Sequence, residues 1–156
     1  MFRRPDCADS LLALGLLHEH QRPDRAQTVR FLSENVDPGC SNMPKDKTCA
    51  NVNQTNINDP IIKLGCCQYL NNFRLVQNED ASGKYDLQSV MHYGSRSFAL
   101  PKKFTLVPAV NGTQIPESHP GVPSTLDLER ICKIYSEPCD KWKKSCKKEN
   151  KREIES

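Results

Sequence analysis

Hydrophobic positions recur with a helical period most clearly near the end of the chain. Side chains spaced three or four residues apart share one face of a helix there: Leu128, Ile131, Cys132 and Tyr135. Ser124 or Thr125 can cap this helix, and Asp127 stands in its first turn, where a carboxylate is favourable. The pattern predicts a helix over 124–135, which Pro138 ends.

A second, much shorter helical pattern lies at residues 9–14. Asp9 or Ser10 can cap it, and the leucine-rich residues that follow favour helix. Gly15 can end it in a left-handed conformation, which costs glycine nothing sterically. Six residues do not hold a helix without tertiary packing.

Between these helices the pattern indicates short extended pieces and a long irregular segment. Thr28–Leu32 predicts a short strand, and Phe104–Val107 an extended piece. Residues 36–80 are dominated by turn formers without a sustained period, which predicts a loop with a short helix around 58–69. Four cysteines tie this loop and allow three pairings: Cys40, Cys49, Cys66 and Cys67.

Composition indicates that crosslinks contribute much of the stability. The chain has 156 residues, about one domain, but only 37% are hydrophobic and 6% aromatic, with eleven prolines. Eight cysteines and two N-x-T sequons, at Asn53 and Asn111, are typical of an oxidising, secretory compartment. No C-x-x-C pair occurs, and the adjacent Cys66 and Cys67 suit crosslinks in two directions better than one tetrahedral metal ion.

Secretion is therefore expected, although the chain as given is expected to lack its own export signal. The candidate signal is Arg3-Arg4 followed by the apolar run Leu11–Leu17. Gly15 interrupts this run, and no small-residue cleavage site follows it. The run is also far shorter than the ~20 apolar residues that cross a bilayer, so we expect no membrane span.

Residues 140–156 form a charged tail that we expect to be disordered. Its basic residues are interleaved with acids: Lys141, Lys143, Lys144, Lys147, Lys148, Lys151 and Arg152. Glu149, Glu153 and Glu155 cancel much of this charge, and Trp142 alone offers no stacking platform for bases. With a net charge of only +3, the composition argues against a nucleic-acid partner.

Two motifs carry the candidate chemistry. The run from Ala13 to Arg25 contains Gly15-Leu16-Leu17-His18-Glu19-His20, and the run Ser89-Val90-Met91-His92-Tyr93-Gly94 lies far downstream. The first resembles the latter part of the astacin signature H-E-x-x-H-x-x-G-x-x-H, and the second resembles that family's Met-turn, S-x-M-H-Y. Residues 85–88 and 124–135 also resemble astacin segments, so the resemblance covers roughly 12–35 and 85–139.

The resemblance implies an α+β fold: an incomplete metzincin-like catalytic domain, mainly its irregular C-terminal lobe. A truncated active-site helix, the Met-turn, the C-terminal helix and disulfide-tied loops would make up this lobe. We expect residues 1–11 to be an unrelated leader, 12–139 the partial peptidase domain, and 140–156 the tail. Cys139 resembles the family's terminal cysteine and would be unpaired or re-paired with Cys7 or Cys146.

The zinc signature is degraded when it is laid over this chain with Gly15 on its glycine and His18 on its third histidine. Ala8 and Leu12 then stand in the first two histidine slots, and Asp9 stands in the slot of the catalytic glutamate. Two imidazoles four residues apart project from one helix face, whereas here a methyl and an isobutyl group replace them. Because catalytic zinc keeps three protein ligands, His18 alone is not expected to bind zinc stably.

Further roles follow from the resemblance. Tyr93 corresponds to the Met-turn tyrosine, a labile zinc ligand and oxyanion stabiliser, and Met91 would be a hydrophobic floor beneath the metal. His92 is not expected to be a ligand, since neighbouring side chains point apart and Tyr93 takes the metal side. Glu19 resembles the family glutamate that pairs with the mature amino terminus, and here we expect it to be solvated. A local polar network is expected from nearby side chains: His20, Arg22, Asp24 and Arg25.

Two functions remain open. The first is an astacin-like zinc metalloendopeptidase by descent, acting on protein or peptide substrates in its complete form but inactive in this one. The second is a secreted, disulfide-bonded, non-catalytic binding protein or pseudoenzyme.

Overall fold

The computed structural model describes residues 11–12, 14–53, 56, 58–77, 81, 83–118 and 121–135. Its regular elements in chain order are β1 (Val29–Phe31), α1 (Pro60–Lys63), β2 (Leu106–Pro108) and α2 (Thr125–Ile134). Short 3-10 helices connect them: Glu19–Gln21, Arg25–Gln27, Ser33–Asn35, Cys49–Asn51 and Gln68–Phe73. The few helices and small sheet confirm the α+β class. The tail 140–156 and all of the leader except Leu11 lie outside the described residues.

The sheet consists of β1 and β2, which pair antiparallel with Val29 opposite Pro108 and Phe31 opposite Leu106. Val29 and Leu106 are buried, so the strands present one apolar face to the core. Strand β2 begins two residues after the predicted start at Phe104. The Thr105 N–H donates to the Ser95 carbonyl at 2.9 Å and so lies outside the ladder, whereas the Thr105 carbonyl still accepts the Leu32 N–H at 2.8 Å.

Two disulfides tie the long loop, Cys40–Cys66 and Cys49–Cys67. The adjacent cysteines serve two different crosslinks, as their adjacency predicted, and Cys67 adopts a left-handed φ of +61° to do so. Together with Gly65, which has a φ of +72°, this residue interrupts the helix predicted around 58–69. Two pieces result, α1 and the 3-10 helix Gln68–Phe73. Cys132 is disulfide-bonded as well.

The buried side chains form two clusters. The larger contains Cys49, Cys66 and Cys67, and the partly buried Cys40 packs against it. Both crosslinks therefore belong to the core. Its buried members are Val29, Val36, Cys49, Ile61, Cys66, Cys67, Leu70, Phe73 and Leu106. The smaller cluster joins the start of the described chain to the Met-turn and α2: Leu11, Leu16, Val90, Met91 and Ile131.

The helical turn at Leu11 and Leu12 ends as the sequence predicts. Gly15 has a φ of +88°, its N–H donates to Leu12 O at 2.9 Å, and Leu16 N–H donates to Leu11 O at 3.1 Å. These two bonds are the Schellman pattern, and Leu11 and Leu16 supply its hydrophobic contact in the smaller cluster. The turn directs the chain away from the helix towards His18.

No helix in the described part of the chain is long and apolar enough to cross a bilayer.

Candidate active site

His18 is held by the backbone of the Met-turn. Its Nδ1 lies 3.1 Å from the Met91 carbonyl, which also accepts the Glu19 N–H at 3.0 Å. A carbonyl partner requires that Nδ1 carry the proton, so the lone pair of the neutral ring is on Nε2. Metal-binding histidines are commonly oriented by such a carbonyl contact. The histidine proposed as a ligand therefore has a tautomer suited to that role.

Tyr93 lies beside His18, with 4.8 Å between the ring centroids. Its ring is half-buried and stacks on His20 at 4.0 Å, and burial raises the pKa of its hydroxyl. His20 is itself fully buried: its Nε2 donates to Asn72 O at 2.9 Å, and burial holds its pKa well below the ordinary value. The structure thus brings together His18 and Tyr93, next to the buried Met91.

His92 faces away from this pair. Its Nδ1 donates to Tyr93 O at 2.6 Å, and its Nε2 lies 2.9 Å from the Tyr85 hydroxyl. Burial lowers the pKa of His92 to about 4 and raises that of Tyr85, so both groups are neutral and the ring accepts a hydrogen bond from the phenol. Both ring nitrogens are occupied within the protein, which agrees with the expectation that His92 is not a ligand.

Asp127 fixes the Met-turn to α2. Its carboxylate accepts the Ser89 hydroxyl at 2.6 Å, the Val90 N–H at 2.9 Å and the Ser124 N–H at 2.9 Å. Ser124 returns the bond by accepting the Asp127 N–H, which completes a capping box. Ser89 in turn accepts the Met91 N–H at 2.9 Å. One buried carboxylate therefore caps the helix and sets the path of the turn.

Glu19 is not solvated, and that expectation was wrong. Its side chain is 2% exposed and forms ion pairs with Arg22, at 3.1 Å, and with Arg130 of α2. It also accepts the Asp86 N–H at 2.8 Å. A buried carboxylate persists because two guanidinium groups compensate for its lost hydration. Sequence reasoning missed this because Arg130 lies 111 residues away.

The polar network expected after His18 is present and reaches further than expected. Arg22 is 1% exposed and forms two bonds to Asp24, and these bonds lower the pKa of that carboxyl. The Arg22 guanidinium also donates to the backbone carbonyls of Ala81, Gly83 and Lys84. Arg25 donates to His20 O at 2.9 Å and to Phe73 O. These bonds fasten the turn after His18 to the segment that precedes the Met-turn.

The donor set does not fit a catalytic zinc. Leu12, in the second histidine slot, is 42% exposed and has no donor atom, while Ala8 and Asp9 lie outside the described residues. Within the described ranges, no group of three or more His, Cys, Asp or Glu side chains could hold a metal ion. Under the predicted alignment His18 would contribute one ligand position, where a catalytic zinc needs three.

The family profile described as Astacin, a peptidase family, matches residues 52–136, more than half of the chain. The chain belongs to the astacin family. An astacin-like metalloendopeptidase from Coturnix japonica is 31% identical over 126 residues, covering 80% of this chain and 24% of that protein. The zinc metalloproteinase nas-5 from Caenorhabditis elegans is 27% identical over 122 residues, covering 78% of this chain and 27% of that protein.

Among solved structures, high choriolytic enzyme 1, a hatching enzyme zinc-protease from the medaka Oryzias latipes, shares the fold. The TM-score is 0.58 at 24% identity, over 83% of this chain and 50% of that chain. The chain thus spans about a quarter of the length of the two relatives and half of this structure. The Met-turn and α2 lie inside the segment that the family profile matches, and His18 precedes that segment.

Proposed function

We propose that this chain carries part of an astacin-type zinc metalloendopeptidase domain and does not hydrolyse peptide bonds in its present form. The observation that supports this proposal is the pairing of His18 with the Met-turn. A histidine of suitable tautomer, a tyrosine ring and a buried methionine lie together, yet the remaining ligand slots hold Ala8 and Leu12. The substrate class of the complete domain would be proteins or peptides.

The proposed roles of His18 and Tyr93 follow from their contacts, and that of Asp9 follows from its position in the signature. His18 would occupy the third zinc-ligand position, oriented by the Met91 carbonyl. The hydroxyl of Tyr93 would stabilise an oxyanion, since burial raises its pKa and so keeps it protonated and able to donate. Asp9 would stand at the general base, one methylene shorter than the glutamate of the signature. Without three ligands no metal lowers the pKa of a water from ~15.7 towards ~7, so that carboxylate has no activated nucleophile.

We also propose that the protein acts in an oxidising, secreted compartment. The two loop disulfides and the disulfide-bonded Cys132 support this, since such crosslinks are rare in a reducing cytosol.

The second candidate, a non-catalytic binding protein, is favoured by how the site is held together. Asp127, Glu19 and the Met91 carbonyl organise the Met-turn through contacts within the protein. Contacts supplied by the chain itself therefore hold the surface around Tyr93, as a pseudoenzyme that binds peptides would require.

Zinc stoichiometry tests the proposal. Protein dialysed against micromolar zinc should hold much less than one zinc per chain by elemental analysis, and it should not cleave a fluorogenic peptide. His18→Ala should leave both results unchanged, and His119→Ala serves as a control histidine outside the signature. One zinc per chain that His18→Ala removes and His119→Ala retains would overturn the proposal.

A further inference from the structure

Two aromatic rings stack on each other at the protein surface. Tyr69, in the 3-10 helix Gln68–Phe73, and Phe98, in the turn after the Met-turn, have ring centroids 4.7 Å apart with planes inclined by 26°. Tyr69 is 39% exposed and Phe98 is 36% exposed. Neither belongs to the buried members of the main core. Aromatic side chains bury large apolar areas when they make contacts, so an exposed pair offers a surface on which a ligand side chain can pack.

This pair is continuous with the candidate active site. The Phe98 ring lies 5.6 Å from the Tyr93 ring, and Tyr93 lies 4.8 Å from His18. Phe98 also meets the buried Phe73 edge-on at 6.2 Å, which anchors the ring to the core. A row of aromatic contacts therefore runs from the surface pair to the histidine.

The backbone holds Phe98 in an unfavourable conformation. Its φ is +53°, in the left-handed region that is sterically unfavourable for a bulky residue. The segment keeps this geometry because Asp37 N–H donates to Phe98 O at 2.8 Å and Val36 bridges to Ala99. Strain of this kind is retained where the surrounding structure fixes a side chain in place.

Tyr69 is confined on its other side by Gly39. A Cβ built on Gly39 would lie 3.0 Å from Tyr69 Cε2, so a larger residue there would displace the ring by a few tenths of an ångström. Both rings are thus positioned before any ligand arrives, and a ligand that packs on them gives up little of its binding energy to ordering them.

We propose that Tyr69 and Phe98 bind a large apolar side chain, best an aromatic one, of a peptide that lies along the His18–Tyr93 site. That the ligand is a peptide follows from the proposed function, whereas its side-chain preference follows from the two rings. A cationic side chain is disfavoured because exposed cations, Lys102 and Lys103, lie on the segment that follows Phe98.

Binding of labelled peptides without catalysis tests this inference. The probes are fluorescein-labelled octapeptides of Gly, Ser and Ala that differ only at a central residue, which is Phe, Ala or Lys. Fluorescence anisotropy in EDTA should show the Phe peptide binding the wild type roughly 5-fold more tightly than the Ala peptide, because an aromatic contact contributes about 0.5–1.5 kcal/mol.

Variants of the two rings should abolish this preference. Phe98→Asn removes the ring while tolerating a positive φ, and Tyr69→Ser removes the second ring. Lys102→Gly is the matched control, since Lys102 is exposed and has a φ of +62° but is not an aromatic residue. Because both rings remain in this control, it should bind the Phe peptide roughly 5-fold more tightly than the Ala peptide, as the wild type is expected to do.

The inference fails if the wild type has no preference for Phe, if the preference survives in both ring variants, or if the Lys peptide binds more tightly than the Phe peptide. Circular dichroism shows whether Phe98→Asn folds. If it does not fold, the inference is judged on the peptide preference of Tyr69→Ser. Zinc binding that depends on His18 would overturn the proposed function and leave this peptide preference unaffected.

Discussion

At the scale of single residues, Glu19 illustrates how a charge is tolerated in the interior of this small protein. Its carboxylate is paired with the almost fully buried Arg22 and with Arg130 at the edge of α2. Removing one member of such a group leaves the others charged and desolvated, which costs more than the intact pair contributes. Breaking the cluster therefore measures the cost of a stranded buried charge and not the contribution of the intact ion pairs.

Glu19→Ala should lower the free energy of unfolding by about 3–5 kcal/mol, because the buried Arg22 loses its buried carboxylate partner and keeps only the partly exposed Asp24. Urea unfolding followed by circular dichroism measures the loss. Glu117→Ala is the control: Glu117 pairs with Arg96 at the surface, where solvent screens the interaction, and its removal should not change stability measurably. Equal effects of the two substitutions would show that the Glu19 cluster is not a buried one.

His92 should make stability depend on pH. Burial lowers its pKa to about 4 in the folded protein, against an ordinary value of 6.5. Between these values the unfolded chain takes up a proton that the folded chain refuses, so stability is complete above pH 6.5 and falls as the pH drops towards 4. The loss should be roughly 3 kcal/mol.

Urea midpoints at several pH values measure this fall. His92→Gln is the comparison, since its amide can donate to Tyr93 O and accept from Tyr85 but does not titrate. The variant should lose less stability than the wild type over the same range, with the remaining slope due in part to buried His20, whose pKa is lowered as well. Identical slopes would contradict the assignment to His92.

The identity of the site residues could be predicted in part. His18, Met91 and Tyr93 stand in short motifs, so their types and spacing are visible in the sequence. Their mutual arrangement is not, because the His18–Met91 contact joins residues 73 positions apart. The burial of Glu19 was mispredicted for the same physical reason: its compensating charge comes from a distant helix.

At the scale of elements, α2 is the part of the fold that the sequence predicts best. Its period, its capping serine and its first-turn aspartate are all local, and the observed helix Thr125–Ile134 lies one residue inside the predicted bounds at each end. Asp127 also accepts hydrogen bonds from Ser89 and Val90 of the Met-turn, and the local sequence pattern does not predict these contacts.

Asp127→Ala should therefore destabilise the protein by about 3 kcal/mol, more than the ~1 kcal/mol of an ordinary helix cap, because the buried carboxylate accepts bonds from two elements. Thermal unfolding followed by circular dichroism checks this value. Glu129→Ala, at an exposed position of the same helix, should change stability by less than about 0.5 kcal/mol. A cost for Asp127→Ala no larger than that of a simple cap would mean that the Met-turn does not depend on it.

The irregular segment between the strands was predictable only in outline. Its turn formers and cysteines indicate a crosslinked loop, but three pairings were equally compatible with the sequence. The observed choice depends on tertiary geometry, with Cα–Cα distances of 5.2 Å and 5.5 Å for the two bonds. The 3-10 helices were missed because single turns have no period to detect.

At the scale of the whole molecule, the fold and family are those of the astacin peptidases, and the chain spans half of the medaka structure. The site it carries is organised by contacts within the chain, whereas the chemistry of a peptidase needs further ligands and a cleft that aligns the substrate. Good alignment of reacting groups is worth ~7–11 kcal/mol of an activation barrier, so it weighs as heavily as the metal.

Rebuilding the signature tests the account most directly. Ala8→His, Asp9→Glu and Leu12→His together restore both histidines and the glutamate, and the triple variant is assayed with zinc against a denatured protein substrate, alone and fused to the N-terminal half of a relative's peptidase domain. The account predicts no appreciable cleavage by the unfused variant and measurable cleavage by the fusion, which His18→Ala should abolish. Robust, His18-dependent cleavage by the unfused triple variant would contradict it.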